Sequence, residues 1–137
     1  MVAAAEHAGT DRQRIAGQGV LVVGLQRTGQ AVARWAAREG ADVRLSDRSP
    51  DIELPSDLLP FDRRDDADAD VVLDQIDLVV PSPGVPASAP ILVRALERGI
   101  PIVSEIELAA STLDAPMVAV TGTNGKSTTT ELIARML

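Results

Sequence analysis

The 137-residue chain has no cysteine and no tyrosine, and it has only one tryptophan and one phenylalanine. The lack of cysteine excludes a disulfide scaffold, a zinc ribbon and a thiol nucleophile. Because aromatic residues are nearly absent, a core must be built from valine, isoleucine, leucine and alanine. The hydrophobic fraction of 45% is ample for such a core, and the length suits one domain, or one and a fraction.

Positive charge is also scarce, since 13 lysine and arginine residues stand against 20 acidic residues, for a net charge of −7. This balance argues against a general nucleic-acid binder, which would carry a basic patch. It leaves room for a phosphorylated ligand, because the N-terminus of a helix attracts phosphate regardless of net charge. Apolar runs of the ~20 residues that a membrane span needs are missing as well. Residues 1–17 mix alanine with charged residues, so we expect a flexible tail there and a soluble, cytoplasmic protein with no nucleic-acid or membrane partner.

Short apolar runs alternate with helical patterns along the rest of the chain. Continuous apolar runs are typical of strands that are buried on both faces of a parallel sheet. Strands are predicted at residues 20–23, 42–47, 76–80, 102–103 and 117–120. Helices are predicted at residues 28–39, 88–98 and 104–112 and after residue 127, and residues 49–74 are expected to form turns with at most a short strand or helix. This alternation predicts an α/β fold, a Rossmann-like parallel sheet flanked by helices.

The first turn, Gly24-Leu25-Gln26-Arg27-Thr28-Gly29, connects a predicted strand to a predicted helix. It differs from the dinucleotide-binding fingerprint because Gln26 stands where a second glycine would let the backbone approach a pyrophosphate. The helix N-terminus still favours an anion. Asp47 ends the next strand, where an acidic residue often contacts a ribose or a base. Two interpretations stay open: a nucleotide-binding turn, or structural glycines beside a solvated Asp47.

A second loop, Ser82-Pro83-Gly84, follows the predicted strand at 76–80. Ligands of open α/β sheets bind outside the carboxyl ends of the strands. The loops that follow Val23, Leu45 and Val80 all lie at that edge, so they can converge on one ligand. The alternative is that proline and glycine only end the strand.

A third loop, residues 121–128, follows an apolar strand and begins the last helix. It is close to a Walker A loop, although Val120 stands where the strict pattern has glycine. Backbone N–H groups between Gly122 and Ser127 can form a nest for an anion. Lys126 can reach the β- and γ-phosphates of a nucleotide, and the Ser127 hydroxyl can bind Mg²⁺. The loop therefore predicts phosphate binding.

With these motifs the chain resembles the Mur ligases, the ATP-dependent amide-forming enzymes of peptidoglycan precursor synthesis. The resemblance covers residues 20–137 and rests first on Gly-Thr-Asn-Gly-Lys-Ser-Thr at 122–128, the family's variant of Walker A. The turn at 24–29, Ser82-Pro83-Gly84 and Glu-Ile-Glu-Leu at 105–108 support it further. These stretches are most similar to the member that adds D-glutamate to UDP-N-acetylmuramoyl-L-alanine.

The resemblance implies two binding sites. One site would hold the UDP part of the substrate. Its diphosphate would lie at the first turn, formed by Leu25, Gln26, Arg27 and Thr28. The uracil would lie at Asp47 and Arg48, and the sugar-nucleotide pocket would be lined by Ser82, Pro83 and Gly84. The site for ATP would comprise Gly122, Thr123, Asn124, Gly125, Lys126, Ser127 and Thr128, with Lys126 catalytic and Ser127 at Mg²⁺. Gln26 departs from a glycine that is common in the family, and Arg27 departs from an apolar residue.

The resemblance also implies how the chain is divided. Residues 18–114 would form the UDP-substrate-binding domain, and residues 115–137 would form the first strand, phosphate loop and helix of a truncated ATPase domain. Family members are several-fold longer, and their remaining metal-binding and amino-acid-binding residues would lie beyond Leu137. We therefore expect an N-terminal fragment that is inactive by itself. The strand at 117–120 would lack its sheet neighbours, so it is expected to be mobile, to dock on the preceding domain, or to associate with a second chain.

Two alternatives remain open from the sequence. The first is another ligase of the same superfamily, such as the diamino-acid-adding ligase or a folylpolyglutamate synthetase, because the phosphate loop does not distinguish them. The second is a non-catalytic nucleotide-sensing module that has a Rossmann-like fold.

Overall fold

The computed structural model describes residues 2–4, 15–49, 51–65, 68–112 and 118–136. The predictions that concern tail residues 5–14 and Met117 lie outside the described residues. The strands are β1 (Val2–Ala4), β2 (Gly19–Val23), β3 (Asp42–Asp47), β4 (Asp62–Asp65), β5 (Leu78–Pro81) and β6 (Val118–Val120). The helices are α1 (Arg27–Arg38), α2 (Ala69–Val72), α3 (Pro90–Glu97), α4 (Glu105–Thr112) and α5 (Lys126–Met136).

Four strands form a parallel sheet in the order β4-β3-β2-β5. Strand β2 is central, pairing with β3 from Gly19 to Val23 and with β5 from Val20 to Val23. The chain runs outward from β2 to β3 and β4 and then returns to β5 on the other side of β2, so the loops after β2 and β5 leave the same edge of the sheet side by side. The predicted α/β fold with a parallel sheet is confirmed.

The core lies on both faces of this sheet, as the continuous apolar run of β2 requires. Because successive side chains of a strand point to opposite faces, Val20 and Val22 belong to one buried cluster and Leu21 and Val23 to another. Helix α1 covers the first face with Ala33 and Ala36. The second face is covered by α2 and α3, through buried residues that include Val72, Ile91, Leu92 and Ala95.

Residues 51–65 and 68–74 contain more regular structure than their prolines and acidic residues indicate. Strand β4 joins the sheet beside β3, and Arg44 of β3 ties this region together. Its guanidinium donates to Asp62 Oδ2 at 2.9 Å, to the Val72 carbonyl at 3.0 Å and to the Asp74 carbonyl at 2.8 Å. These contacts connect residues that are 18 to 30 positions apart, so a local sequence pattern cannot predict them.

Two strand boundaries differ from the predictions. Strand β5 begins at Leu78 and includes Pro81, which pairs with Val23 at the end of the sheet. A proline is tolerated there because only the strand's last position lacks an N–H donor. Residues 102–103 do not form a full strand. Ile102 makes a single parallel bridge to Val79.

An ion-pair network joins α2 to α3 on the surface. Arg94 donates to Asp70 Oδ1 at 2.9 Å and Oδ2 at 3.1 Å, and to Glu97 Oε2 at 2.9 Å. The hydrogen bond from Arg94 holds the pKa of the Asp70 carboxyl below its ordinary value. The same pairing raises the pKa of the Arg94 guanidinium.

Helix α4 begins with Ser104 as its N-cap, which is half of the capping box that the sequence predicts. The Glu107 N–H donates to the Ser104 hydroxyl oxygen at 3.2 Å, which satisfies one of the N–H groups that a helix start leaves without a partner. The buried side chain of Leu108 joins the α1 side of the core.

The chain forms two compact units, Gln13–Thr112 and a second unit that combines Met1–Arg12 with Leu113–Leu137. In the second unit, β1 and β6 form a two-stranded antiparallel sheet in which Val2 lies opposite Val120 and Ala4 opposite Val118. The predicted tail over 1–17 did not include this strand. Helix α5 has no buried residue among those described, and Leu132 and Met136 on its predicted apolar face are 57% and 85% exposed.

Within the described part of the chain, every helix is too short or too polar to cross a bilayer.

Candidate functional site

A cleft of about 510 Å³ lies at the carboxyl edge of the parallel sheet. It is formed by the ends of β2, β3 and β5 and by the residues that precede α3. Its lining residues are Val23, Gly24, Gln26, Thr28, Asp47, Arg48, Ser49, Ser82, Gly84, Val85, Pro86, Ser88, Ala89 and Pro90. The three loops that the sequence places at one edge therefore meet around one cavity.

The turn after β2 is held by hydrogen bonds to all four backbone polar atoms of Gly24 and Leu25. The Gly24 N–H donates to the Ser46 carbonyl at 2.9 Å, and the Leu25 N–H donates to Asp47 Oδ2 at 2.6 Å. The Gly24 carbonyl accepts from the Ser82 hydroxyl at 2.8 Å, and the Leu25 carbonyl accepts from Gln30 Nε2 at 2.9 Å. With every group satisfied, the turn has a fixed conformation before any ligand arrives.

Both glycines of this turn are required by geometry. Gly24 has a φ of +87°, which residues with a side chain rarely adopt, and a Cβ there would lie 2.9 Å from Val85 Cγ2. A Cβ on Gly29 would lie 1.8 Å from the Gly24 carbonyl oxygen and 2.9 Å from Ser82 Oγ. The start of α1 therefore packs directly against the turn and the Ser82 side chain.

Asp47 has a defined position at the end of β3. In addition to Leu25, its carboxylate accepts a hydrogen bond from the Ser49 N–H on Oδ1 at 2.8 Å. Both carboxylate oxygens therefore accept from main-chain groups of the protein, and Asp47 connects the turn after β2 with the turn after β3.

Helix α1 begins at this cleft without a side-chain cap. Gln26, in an extended conformation, precedes the helix and its side chain makes no capping hydrogen bond. The first intrahelical bond of this turn runs from the Gln30 N–H to the Gln26 carbonyl at 3.0 Å. The N–H groups of Arg27, Thr28 and Gly29 therefore have no partner within the helix and form the positive end of its dipole. Helix α3, which begins at Pro90 on another wall of the cleft, has no side-chain cap either.

Positive charge is present at this end of the sheet. Arg48 lines the cleft, and Arg27 begins α1. Both side chains are exposed, and among the described residues neither guanidinium has a hydrogen-bond or ion-pair partner. The cleft thus combines the uncapped start of a helix with a neighbouring guanidinium, an arrangement that favours an anionic group.

The structure brings together six of the nine residues predicted for the UDP part of a substrate: Gln26, Thr28, Asp47, Arg48, Ser82 and Gly84. Leu25, Arg27 and Pro83 are not among the lining residues. The Leu25 side chain is fully buried in the core, so only its backbone belongs to the turn. Pro83 and Arg27 are exposed outside the cleft wall.

Sequence reasoning missed one wall of the cleft. The cleft is lined as well by Ser49 and by five residues of the segment that leads into α3: Val85, Pro86, Ser88, Ala89 and Pro90. Pro90 at the first position of α3 is a signal that locates this helix N-terminus, but nothing in the local sequence shows that the helix begins at the same cleft as the turn after β2.

The loop of the second unit lies between a strand and a helix, as the sequence predicts. Strand β6 ends at Val120 and α5 begins at Lys126, and Gly122 and Gly125 have φ values of +154° and +79°. Lys126 Nζ donates to the Gly122 carbonyl at 2.5 Å, so the side chain folds back over the loop. Residues 121–128 are exposed throughout.

Comparison with known proteins decides the family. The model of the Mur ligase MurD-like N-terminal domain matches residues 18–104, which is more than half of the chain. The chain belongs to the MurD-like Mur ligases. Its relatives include the UDP-N-acetylmuramoylalanine–D-glutamate ligases of Syntrophus aciditrophicus, 44% identical over 130 residues, and of Streptococcus mutans, 41% identical over 131 residues. These alignments cover 90% and 86% of this MurD-like chain, which spans only 28% and 27% of the relatives' own length.

Solved structures support the fold of this MurD-like chain. UDP-N-acetylmuramate:L-alanyl-gamma-D-glutamyl-meso-diaminopimelate ligase from Neisseria meningitides has a TM-score of 0.60 at 19% identity, covering 72% of this chain and 32% of its own. A Rex-family repressor has a TM-score of 0.56 at 14% identity, covering 88% of this chain and 59% of its own. At these identities the likeness concerns the α/β architecture only.

Proposed function

We propose that the chain is the substrate-binding part of a ligase that adds D-glutamate to UDP-N-acetylmuramoyl-L-alanine, and that its cleft holds the UDP part of that substrate. The observation that carries this proposal is the cleft itself, in which three strand ends and the uncapped start of α1 meet in a chain of the MurD-like family. The full-length enzyme would work in the cytoplasm, where ATP is supplied.

The diphosphate would lie at the start of α1. The N–H groups of Arg27, Thr28 and Gly29 can donate to phosphate oxygens, and the Thr28 hydroxyl, which lines the cleft, can add another donor. Arg48, which lines the cleft, would compensate the negative charge. The sugar and base would then occupy the walls formed by Ser82 and Gly84 and by the turn after β3.

ATP would be held by residues Gly122–Thr128 of the second unit. Lys126 already points back over the loop, and a shift of its Nζ from the Gly122 carbonyl to a phosphate exchanges one oxygen acceptor for a charged one. The exposed Ser127 hydroxyl fits a Mg²⁺ ion that also binds phosphate oxygens, because hydroxyl and phosphate oxygens are ligands that this ion prefers. In the full-length enzyme, ATP would supply the phosphoryl group that activates the substrate carboxylate, and the amine of D-glutamate would then displace phosphate.

A titration with UDP-N-acetylmuramoyl-L-alanine tests the cleft. We expect backbone amide shifts concentrated at residues 24–29, 47–49 and 82–85, and competition by UDP. Shifts confined to other regions, or no shifts at millimolar ligand, would overturn the proposal.

A charge-matched pair of variants sharpens this test. Arg48→Ala should weaken UDP binding, because it removes a guanidinium that lines the cleft. Arg38→Ala removes the same charge at the far end of α1 and should leave the affinity unchanged. If both variants reduced the affinity for UDP equally, the reduction would come from the change in net charge, and a specific contact between Arg48 and UDP would be contradicted.

A further inference from the structure

One peptide group in the cleft is held on both of its polar atoms by side chains from different strands. It is the peptide that joins Gly24 to Leu25. Its carbonyl oxygen accepts from the Ser82 hydroxyl at 2.8 Å, and its N–H donates to Asp47 Oδ2 at 2.6 Å. Ser82 follows β5 and Asp47 ends β3, so the two side chains reach the turn from opposite sides of β2.

The orientation of this peptide determines where α1 begins. Rotation of the peptide plane would remove both hydrogen bonds, and the Gly24 carbonyl oxygen lies so close to Gly29 that no Cβ fits between them. Leu25 is followed by Gln26 and then by the free N–H groups of the first helical turn. A fixed peptide between Gly24 and Leu25 therefore fixes the direction of those N–H groups.

We infer that Asp47 and Ser82 are positioning residues that clamp the Gly24–Leu25 peptide, so that the N–H groups of α1 are oriented in advance for a diphosphate. This inference rests on the proposed function of the cleft. Both oxygens of Asp47 accept hydrogen bonds from main-chain N–H groups, those of Leu25 and Ser49, so the carboxylate joins the turn after β2 to the turn after β3. Ser82 likewise directs its one hydroxyl proton at the Gly24 carbonyl.

The clamp and a direct contact with the base predict different losses. If Asp47 contacts the base directly, its substitution weakens the binding of uridine and leaves the binding of inorganic pyrophosphate unaffected. If Asp47 positions the turn, its substitution weakens the binding of pyrophosphate and of UDP by the same factor. An asparagine side chain at this position offers one oxygen acceptor where two N–H groups need one each, so Asp47→Asn disrupts the turn at nearly constant volume.

The experiment measures binding of UDP, inorganic pyrophosphate and uridine to the 137-residue chain and to three variants. We expect Asp47→Asn to weaken UDP and pyrophosphate about tenfold each, the size of one hydrogen bond to a charged acceptor. Ser82→Ala should weaken both about fivefold. In the double variant the affinity for both ligands should fall about tenfold. The product of the two single effects would be roughly fiftyfold, but both side chains hold the same peptide, so their effects are not additive.

Matched substitutions outside the cleft provide the control. Asp51→Asn and Ser56→Ala make the same chemical changes at exposed positions of the loop between β3 and β4, and they should leave all three affinities unchanged. A loss of uridine alone in Asp47→Asn, or a double variant that shows the full product, would overturn the clamp.

Hydrogen exchange separates failure of the clamp from failure of the proposed function. In the ligand-free chain the Leu25 amide should exchange slowly, and Asp47→Asn should accelerate it by at least tenfold while leaving the Val22 amide unchanged. A Leu25 amide that exchanges like an unprotected one refutes the clamp, even if the wild-type chain binds UDP. A protected Leu25 amide without any binding of UDP or pyrophosphate refutes the proposed function instead.

Discussion

The substitution Gly29→Ala reverses the usual effect of alanine in a helix. Gly29 is the third residue of α1, and at an ordinary helical position alanine is more favourable than glycine by roughly 0.5–1 kcal/mol. Here the added Cβ would lie 1.8 Å from the Gly24 carbonyl oxygen, 3.0 Å from the Gly24 carbonyl carbon and 2.9 Å from Ser82 Oγ. Because the two Gly24 atoms belong to the main chain of a hydrogen-bonded turn, they cannot move aside as the end of a flexible side chain would.

The expected destabilisation follows from these distances. A carbon–oxygen contact needs well over 3 Å, so α1 and the turn must separate by more than 1 Å. Overpacking of this kind costs about 1–3 kcal/mol, and the separation also weakens the Ser82 hydrogen bond to Gly24, worth about 1 kcal/mol. After subtraction of the helical gain, the free energy of unfolding of unit Gln13–Thr112 should fall by about 2 kcal/mol.

Urea unfolding followed by tryptophan fluorescence measures this change. Trp35 is the one tryptophan of the chain and packs against the core from α1, so its emission reports on this unit. A loss of about 2 kcal/mol should lower the midpoint by roughly 1 M urea. Gly84→Ala is the control, because a Cβ there meets nothing within 4 Å, and it should be neutral or slightly stabilising. A Gly29→Ala variant as stable as the wild type would refute the packing argument.

Three further predictions concern other parts of the chain. Arg94→Leu should raise the pKa of Asp70 toward its ordinary value, measured by NMR titration of the carboxyl, because the hydrogen bond that lowers it is removed. Since the folded-state pKa of Asp70 is depressed, the stabilisation by this pair exists above the ordinary carboxyl pKa and is lost as pH falls through the folded value. The purified chain should release no phosphate from ATP in the presence of D-glutamate and UDP-N-acetylmuramoyl-L-alanine, as expected for about a quarter of a ligase's length. Deletion of residues 1–4 should speed amide exchange at Val118–Val120 and increase self-association in sedimentation experiments, because it removes β1 from the edge of β6.

Each of these predictions has a clear opposite outcome. An Asp70 pKa that is the same in Arg94→Leu and in the control Arg38→Leu would show that the ion pair is not formed in solution. Phosphate release that depends on both ATP and D-glutamate would show that the chain is catalytic. Unchanged exchange at Val118–Val120 after the deletion would show that β1 does not protect β6, and the amides of β2 serve as the internal reference.

The parts of the fold that follow from local patterns could be predicted from the sequence. The apolar run of β2, the spacing of Val32, Trp35 and Ala36 in α1 and the capping box at Ser104 each reflect interactions within a few residues. Their elements appear within one or two residues of the predicted bounds. The family could be predicted too, because the phosphate loop and the turn after β2 are short contiguous motifs.

The region between β3 and β5 could not be predicted in detail. Strand β4 carries the charged sequence Asp-Arg-Arg-Asp, and what makes it a strand is its pairing with β3 and the Arg44 contacts to Asp62, Val72 and Asp74. Likewise, β1 is a strand because it meets β6 more than a hundred residues away. Such pairings depend on the whole chain, since strand preference is mostly a matter of tertiary context.

The sequence by itself determined which loops lie at the carboxyl edge of the sheet, because parallel strands that alternate with helices all end on the same side. Only the tertiary structure decided what each polar side chain does there. Asp47 and Ser82, both predicted to line the site for the UDP part of a substrate, also hold the protein's own turn through hydrogen bonds to Leu25 and Gly24. The physical reason is the strand order, which places β3 and β5 on either side of β2, so that side chains at their ends reach the turn after β2. A sequence motif does not show which strands are neighbours in the sheet.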